Sequence, residues 1–213
     1  DGIFEGVSGS VVVSSVSANS IRFSTTGYAL SGGTITMGSP TGGPAITVDA
    51  GHTATIGSSL TRAGGGVALR KLGLGTLVFT GNTGFSPSYG LAVNEGTMEI
   101  AGAGQLDSGT FANALAVANG ATLKITGTAA NNFTAATTAI TGNLVKSNSG
   151  SLNAKRLTFN SQSAGSQAFT MSGGTLTCSD WFITGMGSGS SNGQDATITQ
   201  TGGDITVAYL ANS

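Results

Sequence analysis

The sequence predicts an all-β protein, and three observations support this prediction. Gly, Ser and Thr together make up 92 of the 213 residues, because the chain contains 36 Gly, 26 Ser and 30 Thr. Charged residues amount to only 8%, so the Glu, Lys and Arg that favour helices are scarce, while β-branched residues are common. A short strand pattern also recurs at intervals of about 20 residues. These features favour a β-solenoid, in which equivalent short strands of successive coils pair in parallel.

The repeated unit is a Gly followed by a strand in which Thr and apolar residues alternate. Its copies are Gly33–Met37, Gly51–Ile56, Gly75–Phe79, Gly96–Ile100, Gly120–Ile125, Gly174–Cys178 and Gly203–Val207. The first five leading glycines are 18, 24, 21 and 24 residues apart. We expect these glycines to take positive φ at tight corners, where a Cβ atom would clash. At roughly 20–24 residues per coil, the chain predicts about nine or ten coils in one domain covering residues 1–213.

Alternation within the repeats predicts which side chains face the interior. The inward residues should be Leu77, Phe79, Met98, Ile100, Leu123 and Ile125. Their neighbours should face solvent, and Glu99 and Lys124 should lie beside each other in successive coils. An antiparallel sandwich is the rival fold, but it predicts frequent hairpin dipeptides, and Asn-Gly occurs only at Asn119-Gly120 and Asn192-Gly193.

Charge and hydropathy exclude several classes of protein. Eight Lys and Arg are offset by nine Asp and Glu, for a formal net charge of −1, so the chain lacks the basic surface that nucleic-acid binding requires. A hydrophobic content of 38% with little net charge is not typical of a disordered chain. No apolar run reaches the ~18 residues of a membrane-spanning helix. Because residue 1 is Asp, we expect a processed product or an excised segment.

One stretch resembles a known family of repeats. Residues 71–100 contain Lys71-Leu72-Gly73-Leu74-Gly75-Thr76-Leu77, then Gly81-Asn82-Thr83-Gly84-Phe85, then Val93-Asn94-Glu95-Gly96-Thr97-Met98. This pattern is similar to the autotransporter-associated β-strand repeat, with Phe85 near its usual aromatic position and Met98 in place of Leu. The resemblance implies a right-handed parallel β-helix that is exported to the bacterial surface. It implies no shared activity, because such repeats build a stalk.

The sequence predicts no catalytic, cofactor or metal site. The acids are spread along the chain, and Asp180 and Asp204 are 24 residues apart but at different offsets from their leading glycines, so we do not expect them to stack. His52 is the single histidine and should lie at a surface strand edge. Cys178 is the single cysteine, and its phase with Leu176 predicts a small buried hydrophobe. Gly64-Gly65-Gly66 lacks the Lys-Ser/Thr of a phosphate-binding loop and should be a turn.

Aromatic residues suggest a second functional hypothesis. Trp181 and Phe182 are adjacent, so strand alternation allows only one of them to point inward. An exposed Trp181 would be a candidate contact for a surface glycan. Three classes therefore remain open: a structural solenoid, a glycan-binding adhesin and, with less support, a polysaccharide-degrading enzyme. Binding to a glycan array would favour the second class, and turnover of polysaccharides would favour the third.

Both ends of the predicted solenoid are candidate self-association surfaces. Ser10–Ser14 contains Val11, Val12 and Val13, and no Pro or Lys blunts this edge. The segment 204–209 contains Ile205 and Val207 and carries one charge. Joining top to bottom would be a heterologous contact that propagates as a filament. The alternative is that neighbouring segments of a longer solenoid cover the two ends.

Overall fold

The computed structural model describes residues 1–63, 67–84, 90–106, 115–133, 138–159, 167–184 and 196–212. All regular elements in these ranges are β-strands, and the strands pair in parallel in one 21-stranded sheet. The predicted all-β solenoid is therefore confirmed. Gly64-Gly65-Gly66, Phe85 and Asn192-Gly193 lie outside the described residues.

The strands are mostly short, and only the first and last coils contain long ones. They are β1 (Gly2–Phe4), β2 (Ser10–Ala18), β3 (Ser20–Phe23), β4 (Tyr28–Met37), β5 (Ala45–Val48), β6 (Thr53–Ile56), β7 (Ser59–Arg62), β8 (Leu69–Leu72), β9 (Thr76–Phe79), β10 (Thr83–Gly84), β11 (Leu91–Val93), β12 (Thr97–Ile100), β13 (Leu115–Val117), β14 (Thr122–Ile125), β15 (Asn131–Phe133), β16 (Thr138–Ile140), β17 (Asn143–Lys146), β18 (Ser151–Ala154), β19 (Leu157–Phe159), β20 (Ala168–Thr184) and β21 (Thr197–Asn212).

Three parallel ladders form the faces of the solenoid. Within the described residues, the first face runs through the start of β2, the start of β4, β6, β9, β12, β14, β17, and the first segments of β20 and β21. The third face runs from β1 through β3, β5, β8, β11, β13, β16 and β19 to the last segments of β20 and β21. Each strand thus stacks on its equivalent one coil away.

The second face lies between these two, and its described strands leave one gap in the ladder. It holds the ends of β2 and β4, then β7 and β10, and later β15, β18 and the middle segments of β20 and β21. Between β10 and β15 the described contacts include a bridge from Asn82 to Gln105 and a hydrogen bond from the Leu106 N–H to Oδ1 of Asn131, at 2.8 Å. The buried Asn131 amide therefore takes the place of a backbone acceptor at this point.

Side chains alternate as the repeats predict. The six expected inward residues are at most 1% exposed, and they stack in register: Leu77 on Met98 and Leu123, and Phe79 on Ile100 and Ile125. Glu99 and Lys124 are register partners, as expected, although the Glu99 carboxylate accepts a hydrogen bond from Thr126 Oγ1 at 2.7 Å. The core is thus a column of apolar rows, one residue per coil.

The corners depend on glycine in two different ways. Gly96 has φ +61°, and a Cβ there would lie 2.6 Å from the carbonyl oxygens of both Gly73 and Gly75. Gly75, another leading glycine, does not have positive φ; at this corner Gly73 takes φ +75° instead. The expectation that every leading glycine has positive φ was therefore wrong here and at Gly33, where Gly32 takes that role. Close packing between coils makes glycine necessary at Gly75 as well, because a Cβ would meet the His52 carbonyl oxygen at 2.6 Å.

Candidate functional site

The described carboxylates do not assemble into a catalytic or metal-binding group. No cluster of three or more His, Cys, Asp and Glu side chains occurs among the described residues. Asp49 instead accepts hydrogen bonds from Arg22, at 3.2 Å from Nε and 2.8 Å from Nη2. These two residues belong to successive coils of the third face, so the ion pair ties coil to coil.

Asp180 and Asp204 do not stack, as the sequence predicted. Register places Asp204 beside Thr175, at the start of the second-face segment. Asp180 lies at the next corner, where its Oδ2 is 3.0 Å from Nη2 of Arg156. The two acids therefore cannot form the carboxylate pair that glycoside hydrolysis uses.

Cys178 and His52 occupy the expected positions. Cys178 is 1% exposed, and burial raises the pKa of its thiol, so the reactive thiolate is disfavoured. His52 is half-buried directly before β6, where its carbonyl oxygen accepts a hydrogen bond from the Thr76 N–H at 2.8 Å. Cys178 thus packs in the interior, and the His52 backbone joins two successive coils.

An aromatic pair occupies one outer corner near the C-terminal end. Phe182 is 3% exposed and faces the core, whereas its neighbour Trp181 is 37% exposed. Only one residue of this adjacent pair thus points inward, as strand alternation predicted. The Trp181 ring stacks on Tyr209 of the next coil, with ring centroids 5.0 Å apart and planes 29° from parallel. The ring faces between the two residues cover each other, and the remaining parts of both rings are open to solvent.

A groove adjoins this aromatic pair. It has a volume of about 620 Å³ and is lined by Asn153, Ala154, Lys155, Thr177, Ser179 and Asp180. Asp180 directly precedes Trp181, so the groove and the aromatic pair share a corner. Such a combination of flat aromatic surface and convergent polar groups is typical of ligand sites.

At the N-terminal end, β2 is the edge of two faces, because its described pairing is with β4. Val11, Val13 and Val16 point toward the interior and line an apolar depression of about 240 Å³ together with Leu30 and Ile35. Val12 points outward and is 81% exposed. Of the three valines proposed for self-association, Val11 and Val13 thus lie on the interior side of the N-terminal edge, where the apolar core is uncovered. The Val12 side chain lies on the outer surface, so at the edge this residue offers its backbone groups.

At the C-terminal end, β21 is the edge of all three faces, because its described pairing is with β20. The inward residues Ile205 and Val207 are half-buried and line a depression of about 400 Å³ with Ile198 and Leu210. The two sets of self-association residues therefore lie at opposite ends of the solenoid. The two sets can therefore meet only when the C-terminal end of one molecule contacts the N-terminal end of another.

Two buried lysines were not singled out from the sequence. Lys71 is 1% exposed, and its Nζ donates to the carbonyl oxygens of Leu72, Gly73 and Glu95 at 3.0, 2.7 and 3.0 Å. Lys146 is fully buried, and its Nζ donates to Ser147 and Asn148 at 2.7 and 3.3 Å. Burial lowers the pKa of Lys71 to about 8 and also lowers that of Lys146. Strand alternation was the available signal, since these lysines are in phase with Leu69 and Leu144.

Comparison with known proteins finds a similarity to part of one bacterial protein. The chain is 40% identical over 129 residues, or 60% of its length, to the adhesin BmaC autotransporter of Brucella suis biovar 1 (strain 1330). The matched stretch is only 4% of that protein. No protein-family profile matches the chain, and no solved structure matches it. Among the described residues there is no helix with the length and apolar character needed to cross a membrane.

The fold and the relative together define a class. The chain is a parallel β-solenoid, and the predicted resemblance to autotransporter passengers is confirmed. It is similar to a short part of a bacterial autotransporter adhesin.

Proposed function

We propose that this chain is a non-enzymatic stalk segment of a bacterial surface adhesin. The observation that carries the proposal is the unbroken parallel ladder of the first and third faces, combined with 40% identity to an autotransporter adhesin. A stack of coils with a continuous apolar core is a stiff rod, because each coil pairs with its neighbours along at least two of its three faces. Such a rod holds other parts of a protein away from the cell surface.

The outer surface supports a structural role over a catalytic one. Its polar side chains form bonds between coils: the hydroxyls of Thr36 and Thr61 are 3.1 Å apart, and the Asn153 amide donates to Asn132 Oδ1 at 2.8 Å. The ion pairs Arg22–Asp49 and Arg156–Asp180 likewise join neighbouring coils. Polar groups that stabilise stacking are what a rod requires.

We propose further that additional solenoid coils of the same polypeptide cover both ends. The edges at β2 and β21 offer unpaired backbone groups and inward apolar side chains to a parallel strand. The relative extends far beyond the matched stretch, which is 4% of its length. A second copy of this chain, joined end to end as a filament, is the competing occupant.

Removing one coil tests the structural proposal. Thr97 and Thr122 are register partners, so deletion of residues 97–121 places β14 directly on β9 with the inward rows preserved. We expect this variant to fold with β-sheet circular dichroism and cooperative melting. Deletion of residues 98–121, one residue fewer, reverses the alternation after Thr97 and should melt at a much lower temperature. Equal loss of structure in both variants would contradict a modular rod.

Cell-surface location is tested separately. Antibodies raised against the chain should label intact cells of the source bacterium as strongly as permeabilised cells. Added protease should remove that signal without lysis. Labelling that appears only after permeabilisation would overturn the surface assignment while leaving the rod architecture unaffected.

A further inference from the structure

We propose that the corner formed by Trp181, Tyr209 and the adjacent groove binds an acidic glycan, one that carries a carboxylate on its sugars. This inference goes beyond the stalk role, and it requires that a coil covering β21 leaves the outer corner at Trp181 and Tyr209 open to solvent. Three features of the corner support it: the exposed aromatic rings, the hydroxyl and amide groups that line the groove, and the local balance of charge.

The aromatic surface fits the apolar side of a pyranose ring. Trp181 and Tyr209 are the exposed partners of a stacked pair, with 37% and 57% of their surfaces open to solvent. The face of an aromatic ring carries negative potential, which attracts the weakly positive C–H groups of a sugar. Exposed apolar surface that is contiguous, in contrast to single scattered residues, marks interaction sites.

The groove supplies the polar groups that a sugar needs. Thr177 and Ser179 line it with hydroxyls that can both donate and accept hydrogen bonds, and Asn153 adds an amide. The volume of about 620 Å³ falls in the range of small-ligand sites. A glycan at Trp181 therefore has partners for its hydroxyl groups in the same coil, at Thr177 and Ser179, and in the neighbouring coil, at Asn153.

Charge selects an acidic glycan over a neutral one. The Asp180 carboxylate is 3.0 Å from the Arg156 guanidinium, so these two charges offset each other. Lys155 is exposed at the rim of the groove and belongs to neither of the two ion pairs that the described residues form. Asp204 is the register partner of Thr175, at the opposite end of the second-face segment from Asp180. Lys155 therefore leaves the groove with a positive charge suited to a carboxylate.

The test uses Trp181 as its reporter, because it is the only tryptophan of the chain. The intact chain is titrated with hexagalacturonate, a hyaluronan hexasaccharide and 3′-sialyllactose, with neutral chitohexaose and methyl-esterified hexagalacturonate for comparison. We expect a saturable change in tryptophan emission with at least one acidic glycan and weaker binding of the neutral ones. Absence of a saturable change with all three acidic glycans up to about 10 mM would overturn the proposal.

Two variants and two controls assign the contacts. Lys155→Gln should raise the Kd of the acidic glycan about tenfold and leave that of chitohexaose unchanged. Tyr209→Ala should weaken binding of both while keeping the Trp181 signal. Lys124→Gln, on another face, and Leu74→Ala, an exposed apolar residue at another corner, should change neither. An unchanged Kd in both Lys155→Gln and Tyr209→Ala would place the glycan elsewhere and refute this site.

Discussion

Lys71 and Glu95 join two successive coils, Lys71 through its ammonium group and Glu95 through both its carbonyl oxygen and its carboxylate. The Nζ of Lys71 donates to the Glu95 carbonyl oxygen at 3.0 Å, and the Glu95 carboxylate accepts the Gly73 N–H at 2.7 Å. The same Nζ also donates to the Gly73 carbonyl oxygen at 2.7 Å. One corner thus has its backbone groups satisfied by side chains of the repeat itself. This explains why a lysine starts the Lys71-Leu72-Gly73-Leu74-Gly75 motif inside an otherwise apolar column.

Lys71→Met should destabilise the chain by about 1–3 kcal/mol, because three carbonyl oxygens lose their buried donor. Methionine keeps most of the side-chain volume, so the loss reports on hydrogen bonding and not on a cavity. The measurement is chemical unfolding monitored by circular dichroism. Lys124→Met, where the lysine is half-exposed, is the control and should stay within about 0.5 kcal/mol of the parent.

The same lysine should make stability depend on pH. Burial lowers the pKa of Lys71 from 10.5 to about 8. Between these two values the unfolded chain binds more protons than the folded chain, so the free energy of unfolding should rise as pH increases from 8 toward 10.5. Below pH 8 Lys71 is protonated in both the folded and the unfolded chain, so it no longer makes the free energy of unfolding depend on pH.

The check is a comparison of melting curves at pH 7.5 and 9.5 for the parent and Lys71→Met. The parent should gain stability relative to the variant at the higher pH. Some rise should persist in Lys71→Met, since burial also lowers the pKa of Lys146. An identical pH dependence in the two proteins would show that Lys71 does not titrate as expected.

Alternation predicted the core because a strand in a solenoid has one face inside and one outside. Leu77, Met98 and Leu123 could be assigned inward from the sequence, since their phase and their apolar character agree. Lys71 and Lys146 were missed because phase and residue type conflict there. The conflict is resolved by corner carbonyl oxygens, whose positions depend on packing between coils that a sequence pattern does not contain.

Part of the candidate site could likewise be predicted from the sequence, and part could not. The exposure of Trp181 follows from its adjacency to Phe182, which only one inward position can accommodate. The stacking of Trp181 on Tyr209 could not be predicted, because β20 has irregular register at Cys178/Trp181 that shifts the spacing between coils. The groove likewise depends on which corner brings Lys155 beside Asp180.

Leu77→Asp should cost several kcal/mol, since it buries a carboxylate in the apolar column where Leu77 is 1% exposed. Thr76→Asp, one residue earlier, points outward from a half-buried position and should cost little. Thermal melting of both variants measures the difference. Similar melting temperatures would contradict the inward and outward assignment, because the two positions lie on opposite faces of β9.

The Cys178 thiol should react slowly in the folded chain. It is 1% exposed, and burial raises its pKa, so both access and thiolate content are low. The measurement is the rate of reaction with a chromogenic disulfide reagent at pH 8, in buffer and in denaturant. We expect a rate at least tenfold lower in buffer. Equal rates would show that the end of the second face opens readily in solution.

Open ends should make the isolated chain associate end to end. The depression around Ile205 and Val207 at one end, and that around Val11 and Val13 at the other, would bury apolar surface against a parallel strand. Because the two surfaces differ, the contact does not close and should yield species that grow with concentration. Sedimentation velocity and electron micrographs of the purified chain measure this growth.

A pair of neighbouring substitutions tests which surface is responsible. Ile205→Lys places a charge in the open core and should leave the chain monomeric, since a new coil would bury that charge unpaired. Thr206→Lys, the adjacent outward residue, adds the same charge to the lateral surface and should permit association. If the parent chain stays monomeric at high concentration, end-to-end filament formation is excluded for this chain, and neighbouring coils of a longer polypeptide remain the occupants of both ends. Association that both lysine variants abolish equally would instead indicate contact through the lateral surface or a general effect of charge.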